Sequence, residues 1–277
     1  MACGHGFSNP GYELTPALDE FLTNRRATMS CRDLPASLPP QDLNATQRLY
    51  RYLMVSAALV WKATGVSWPA LRVLYAVAYG ATLAIAYGIF RLGISRLLSV
   101  AATIGIAVSP VHLEHITFLR DYAKAPFLLA LVLVMGLMAS GTWSKRRALV
   151  YSAVFGLVLG VGFGFRNDLL IAILPWLVVV ACALPGPLRA NLPQKAACVA
   201  VSVLTFAVAA WPILTGYAEG SNTGHVAVLG MMTPFNAPLA LRSTPSVIAH
   251  SESGSWSGYS YVRLRSEEHT SELQSRF

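Results

Sequence analysis

Charge is what this sequence is short of. Only 12% of its 277 residues are Asp, Glu, Lys or Arg, about half the roughly 25% of a soluble domain. That balance, with 55% hydrophobic residues and a mean hydropathy of +0.52, excludes an ordinary soluble domain. Cysteine is scarce too, with four residues in all, which excludes a scaffold built from disulfides. No stretch matches a P-loop, a zinc-ligand spacing, a nucleophile elbow or a dinucleotide fingerprint. Nor does a basic stretch followed by an apolar one open the chain, so no signal peptide is visible.

What the sequence has instead is long apolar runs. Six of them, Val73–Phe90, Leu97–Leu113, Ala125–Gly141, Ala148–Phe165, Leu169–Pro185 and Ala196–Leu214, follow one another with charged punctuation. Each approaches the roughly 17–25 residues needed to span hydrocarbon. The expected fold class is therefore all-α, a polytopic transmembrane helix bundle over residues 70–214. The connections alternate in charge. Arg91, Arg96, Lys145, Arg146, Arg147, Arg189 and Lys195 fall in one set with no acid among them. Glu114, Arg120, Asp121, Lys124, Arg166, Asp168 and Glu219 fall in the other. The positive-inside rule places the first set in the cytoplasm and the second outside.

The same rule exports residues 1–69 and 215–264, and a span upstream of Cys3 is expected to carry the first of these across. Within it, Leu49, Leu53, Ala57 and Val60 recur at helical spacing. A helix over about 47–62, too short to cross, would lie at the interface, capped by Asn44 or Thr46. Cys3 and Cys31 share this exported segment, where a disulfide is permitted and free thiols fit equally well. Cys182 and Cys198 fall near cytoplasmic helix ends and should be reduced. "NAT" at Asn44 matches a glycosylation sequon. Residues 265–277 are set apart, because "RSEEHTSELQS" resembles a translated sequencing adapter; without them the net charge rises from +8 to +9, 19 basic residues against 10 acidic ones.

The polar stretches between spans hold the candidate chemistry. "HITFLRDYAKAP", 115–126, sets His115, Arg120, Asp121 and Lys124 between two apolar runs. At mid-bilayer each Arg, Lys or Asp costs roughly 2.5–3.5 kcal/mol, so these groups belong at the membrane face or in a polar cavity. One reading is a solvated loop whose Arg120 and Lys124 hold lipid headgroups. The other is a site for a phosphate-bearing lipid, with Arg120 as a bidentate donor and Lys124 as a point charge. "GFGFRNDLL", 162–170, puts Arg166, Asn167 and Asp168 in a tight turn on the same face, and Arg166 is expected to converge with Arg120 and Lys124. Asp121 is expected to pair with Arg120 or Lys124; the alternative is that it orients an acceptor or a metal. Gly156, Gly160 and Gly164, four residues apart, permit close helix packing. In the exported segment Asp19 and Glu20 offer a general base, or simply an exposed helical turn. His112 and His115 are three apart, with no third metal ligand evident. Trp256, Tyr259 and Tyr261, beyond the last span, read as an interfacial belt.

An exported acidic segment, an interfacial helix, a cytoplasmic "RLGISRLLS" turn and a span ending "AVSPVHLEHITFLRDYAKAPFLLALVLV" together resemble the C-type glycosyltransferase superfamily, protein O-mannosyltransferases and lipid A aminoarabinose transferases among them. The resemblance covers roughly Gly4 to Leu214, mostly as layout. It implies a polyprenyl-phosphate sugar donor and an acidic catalytic base in the first external loop, with Ser109–Pro110 and Glu114 or Asp121 at the positions of a span end and its following acid. In that family the acidic pair follows directly on the first span, which would lie upstream of Cys3 here. The resulting expectations are Asp19, Glu20 and Asp121 as catalytic carboxylates and Arg120, Lys124 and Arg166 as the donor-phosphate site. A divalent metal ion is the one cofactor candidate, with no metal ligands assigned. A lipid-linked sugar donor and membrane lipids are the partners and nucleic acid is not, with the oligomeric state left open. The location implied is a bacterial inner membrane, with the active face non-cytoplasmic. A transporter or flippase for an anionic lipid or solute is the competing reading, and a non-catalytic assembly subunit a third.

Overall fold

A computed structural model describes residues 1–4, 6, 15–34, 45–116, 118–140, 144–183 and 191–217. The chain divides into two units, Met1–Leu214 and Thr215–Phe277, and of the second only residues 215–217, the end of a helix, are described. Asn44, Glu13, Glu219, Trp256, Tyr259, Tyr261 and the stretch 265–277 lie outside the described residues.

The described chain is mostly helical. Helices α1 (Pro16–Leu22), α2 (Ala45–Leu49) and α3 (Arg51–Thr64) come first. Then follow α4 (Arg72–Phe90), α5 (Arg96–Ala107), α6 (Pro110–Ile116), α7 (Leu119–Tyr122), α8 (Ala125–Ser140), α9 (Lys145–Phe163), α10 (Ile173–Ala183) and α11 (Leu192–Tyr217). The strands among the described residues are two residues each, β1 (Thr28–Met29) and β2 (Val66–Ser67), paired antiparallel with Thr28 opposite Ser67.

Four helical stretches are long and apolar enough to cross a membrane: Pro69–Phe90, Leu119–Ser140, Lys145–Phe163 and Leu192–Thr215. The chain is thus compatible with an integral membrane protein, but two of the six expected spans are altered. The run Leu97–Leu113 does not continue as one helix. It breaks between α5 and α6 with a bend of 57°, because Pro110 has no N–H to give Ile106 and pushes Ser109 out of helical backbone. Counted with its bend as one span, it brings the number to five. The described part of the run Leu169–Pro185 lies in one short apolar helix, Asn167–Ala183, wound as a 3-10 helix over Asn167–Ala172 and as α10 over Ile173–Ala183. At about 2.0 Å per 3-10 residue and about 1.5 Å per α residue it reaches about 28 Å, just under a roughly 30 Å hydrocarbon core. Pro175 stands at the middle of Asn167–Ala183, three residues after the 3-10 turn passes into α10.

The core is centred on α8, α9, α10 and α11. Leu131, Val134 and Met138 meet Ala148, Phe155 and Leu159, and Trp176 and Cys198 close the cluster. Phe155 stacks on Trp176 with ring centroids 4.2 Å apart, and the indole N–H, which must find a partner when buried, donates to Ser202 Oγ at 3.1 Å. The glycine stripe of α9 faces α11: a methyl at Gly156 would meet Ser202, and one at Gly160 would meet Phe206 and Ala209. The outward faces carry exposed Val77, Leu97, Ile171, Leu174, Leu204 and Trp211, a surface suited to lipid rather than water.

The expected interfacial helix is two helices, α2 and α3, broken at Tyr50. Thr46 falls inside α2. Helix α3 has no fully buried residue and docks by its first turn. Tyr52 N–H donates to the Gly164 carbonyl at 3.0 Å, Tyr52 Oη to Ala209 O and Arg51 to Pro212 O at 3.0 Å. Pro212 interrupts the helical hydrogen bonds of α11, and side-chain donors satisfy carbonyls near such a break. Burial of the Tyr52 hydroxyl raises its pKa, which keeps it a neutral donor. Helix α3 ends at Gly65, whose φ of 88° suits only glycine, and this turn sends the chain into β2.

The first segment is fastened there. Cys3 and Cys31 are joined by a disulfide, which resolves the alternative that the sequence left open. Phe21, 2% exposed, stacks on Trp68 at 4.9 Å and meets Trp61 edge-on at 5.7 Å. Trp68 Nε1 donates to Phe21 O at 2.9 Å.

Candidate functional site

The site forms where α8 begins and α9 ends. These helices run antiparallel and pack along their length, so their adjacent ends bring residues 119–125 beside residues 164–168. Phe165 packs on Phe127 with centroids 4.7 Å apart. Gly162 lets the chain fold back so closely that an added methyl would lie 2.6 Å from Leu169 and 3.0 Å from Phe127. Arg166 then leaves the helix in extended backbone, φ −161°, and reaches across to α7.

Three cations and two carboxylates meet there. Arg166 Nη1 donates to Asp121 Oδ1, and its Nε stands 3.5 Å from Asp168 Oδ2. Lys124 Nζ donates to the same Asp168 oxygen. Arg120 Nε is 4.0 Å from Asp121 Oδ1. Arg166 is the most enclosed, its side chain 21% exposed, against 32% for Lys124 and 66% for Arg120. The three expected cations therefore converge, but through carboxylates. Asp121 pairs with Arg120 as expected, and also with Arg166, a partner that the sequence did not indicate. Asp168, to which the sequence assigned no role, holds Lys124 and Arg166 together. The five side chains sum to one net positive charge.

Beside the ion pairs is a cavity of about 670 Å³, lined by Asp121 and Lys124, by His112, His115 and Tyr122, and by Ala86, Leu128 and Leu129 among other apolar residues. One part of its wall is charged, one hydrogen-bonding and one greasy. His112 bonds Tyr122 at 3.0 Å through Nε2. Its ring lies 5.5 Å from that of Tyr79 on α4. The bend at Pro110 turns α6 so that His112 comes to Tyr122, ten residues on. No motif in the sequence marks this pair.

Asp19 and Glu20 are not part of this group. Asp19, on α1, is paired with Arg25 of its own segment, and Glu20 is exposed on the same helix. Neither lines the cavity. Among the described residues no three His, Cys, Asp or Glu side chains are grouped to hold a metal ion. No family model, curated protein or solved structure matches the chain.

Proposed function

We propose that the chain is an integral membrane glycosyltransferase that moves a sugar from a polyprenyl-phosphate donor to an acceptor on the non-cytoplasmic face of the membrane. The observation that carries this reading is the meeting of Arg120, Lys124 and Arg166 with two carboxylates at the edge of a partly apolar cavity. A lipid-linked sugar phosphate is a phosphodiester with one negative charge, a hydroxyl-rich head and a hydrocarbon tail. The cluster's single net positive charge matches the phosphate. Lys124 would meet it from the cavity wall, and Leu128, Leu129 and Ala86 would take the first units of the tail. As the glycosidic bond breaks, charge grows on the phosphate, and donors already in place stabilise it without reorganisation. The charge bias of the alternate connections supports a position outside for the cluster, where sugars carried on such lipids are transferred.

A second reading has one observation in its favour. The bend between α5 and α6 beside the same cavity is the kind of broken helix that transporters place at a substrate site, so the chain would move an anionic lipid without cleaving it. The full chain reconstituted in vesicles with a radiolabelled polyprenyl-phosphate hexose separates the two. Release of polyprenyl phosphate, lost in Arg166→Ala, is the result expected of a transferase. Movement of the intact donor between leaflets without release refutes the transferase and leaves the transporter.

A further inference from the structure

The charged groups at the site are committed to one another, so the proton chemistry falls to its neutral groups. Asp121 and Asp168 serve Arg166 and Lys124, and Asp19 serves Arg25. That leaves His112 and His115 on the cavity wall, and only His112 is oriented by another side chain, through the 3.0 Å bond from its Nε2 to Tyr122. Tyr122 is 5% exposed.

With its proton on Nε2, His112 donates to the Tyr122 oxygen and keeps a lone pair on Nδ1.

We propose that His112 is the proton acceptor of this site, a role that rests on the transferase reading, with Tyr122 as its positioning residue. In the step, the acceptor oxygen bonds to the anomeric carbon as its proton passes to His112 Nδ1. The bond from that carbon to the phosphate oxygen breaks, and its electron pair stays on the phosphate, which leaves as polyprenyl phosphate beside Lys124 and Arg166. The imidazolium then returns its proton to water. A charged ring donates more strongly from Nε2 to Tyr122, so the buried phenol steadies the protonated state. A base held by a second group is the arrangement that nucleophile activation calls for.

The test uses the full chain in nanodiscs with polyprenyl-phosphate hexose as donor and glycerol as acceptor, measuring donor binding and release of polyprenyl phosphate separately. His112→Gln is expected to lower release by about 10²–10⁴-fold, the usual worth of a positioned base, with donor binding unchanged. His112→Ala should behave alike and recover in part with added imidazole, a rescue that no structural role explains. Tyr122→Phe should lower release less and shift its pH profile. Wild-type release from His112→Gln overturns the role of His112 and leaves the transferase reading standing. Loss of donor binding along with release overturns it too, since His112 would then hold the donor. No release from the wild-type chain, with donor still bound, refutes the transferase reading and this role with it.

Discussion

The close approach of α9 and α11 rests on glycine, and one added methyl tests it. A Cβ at Gly156 would lie 2.1 Å from Thr205 Oγ1 and 2.2 Å from the Ser202 carbonyl oxygen, where ordinary contact begins at 3.4 Å. The Thr205 hydroxyl can rotate away. The Ser202 carbonyl is backbone and cannot, so α11 must retreat by about an ångström. Ser202 is also the partner of the buried Trp176 indole, and the retreat loosens that bond and the Phe155–Trp176 stack beneath it. Overpacking of this kind costs about 1–3 kcal/mol, and at this chain size each kcal/mol moves a melting midpoint by roughly 2–4 °C. Gly80 is the control, since nothing lies within 4 Å of a methyl there, and replacing a mid-helix glycine by alanine favours the helix by about 0.5–1 kcal/mol. The monodisperse fraction remaining after heating in detergent, read by size-exclusion chromatography, should fall at lower temperature for Gly156→Ala and at the same or higher temperature for Gly80→Ala. Equal midpoints for the two variants would refute the packing of α9 on α11.

Three further outcomes are expected. Arg166→Ala, which removes the most enclosed cation of the site, should lower release of polyprenyl phosphate by roughly 100- to 1000-fold, while the more exposed Arg120→Ala costs less; the reverse order, read as initial rates, would shift the phosphate site towards Arg120. In a Cys182→Ser background, cysteine at Gly93 or Lys145 should be protected from an impermeant maleimide in intact cells and cysteine at Glu20 labelled, and the opposite pattern overturns the orientation. Cys31→Ser opens a 28-residue separation whose closure is worth about 3–4 kcal/mol in the chain-entropy account, so limited trypsin digestion should cut at Arg25 and Arg26 sooner than in the wild-type chain; an unchanged digestion rate would mean that Trp61, Trp68 and β1–β2 hold the segment by themselves.

Much of the layout is legible in the residues because the signals are long and repeated. The Val73–Phe90, Ala125–Gly141, Ala148–Phe165 and Ala196–Leu214 runs are helices within a few residues of their expected ends, since a run of that hydropathy must satisfy its backbone internally. The four-residue glycine spacing also marks the face of α9 that meets α11. The other two runs mislead for a local reason: hydropathy counts side chains, not backbone hydrogen bonds. Pro110 removes one such bond and ends α5, and residues 167–172 wind as a 3-10 helix on leaving the Arg166 turn, so that two runs of adequate length become a bent pair and a short helix.

For the site, composition and spacing by themselves determine that Arg120, Asp121, Lys124, Arg166 and Asp168 stand between apolar helices on one face, because charges of this cost have nowhere else to go. Which charge meets which was decided only by tertiary structure. The antiparallel packing of α8 on α9 sets Asp121 against Arg166 and Asp168 against Lys124, pairs 45 and 44 residues apart. The same packing and the bend at Pro110 bring His112 to Tyr122, while the Arg25 pairing and the Trp61–Trp68 clasp hold Asp19 within the first segment. Charge pairing depends on a few ångströms in three dimensions, and no one-dimensional pattern of hydropathy or charge contains those distances.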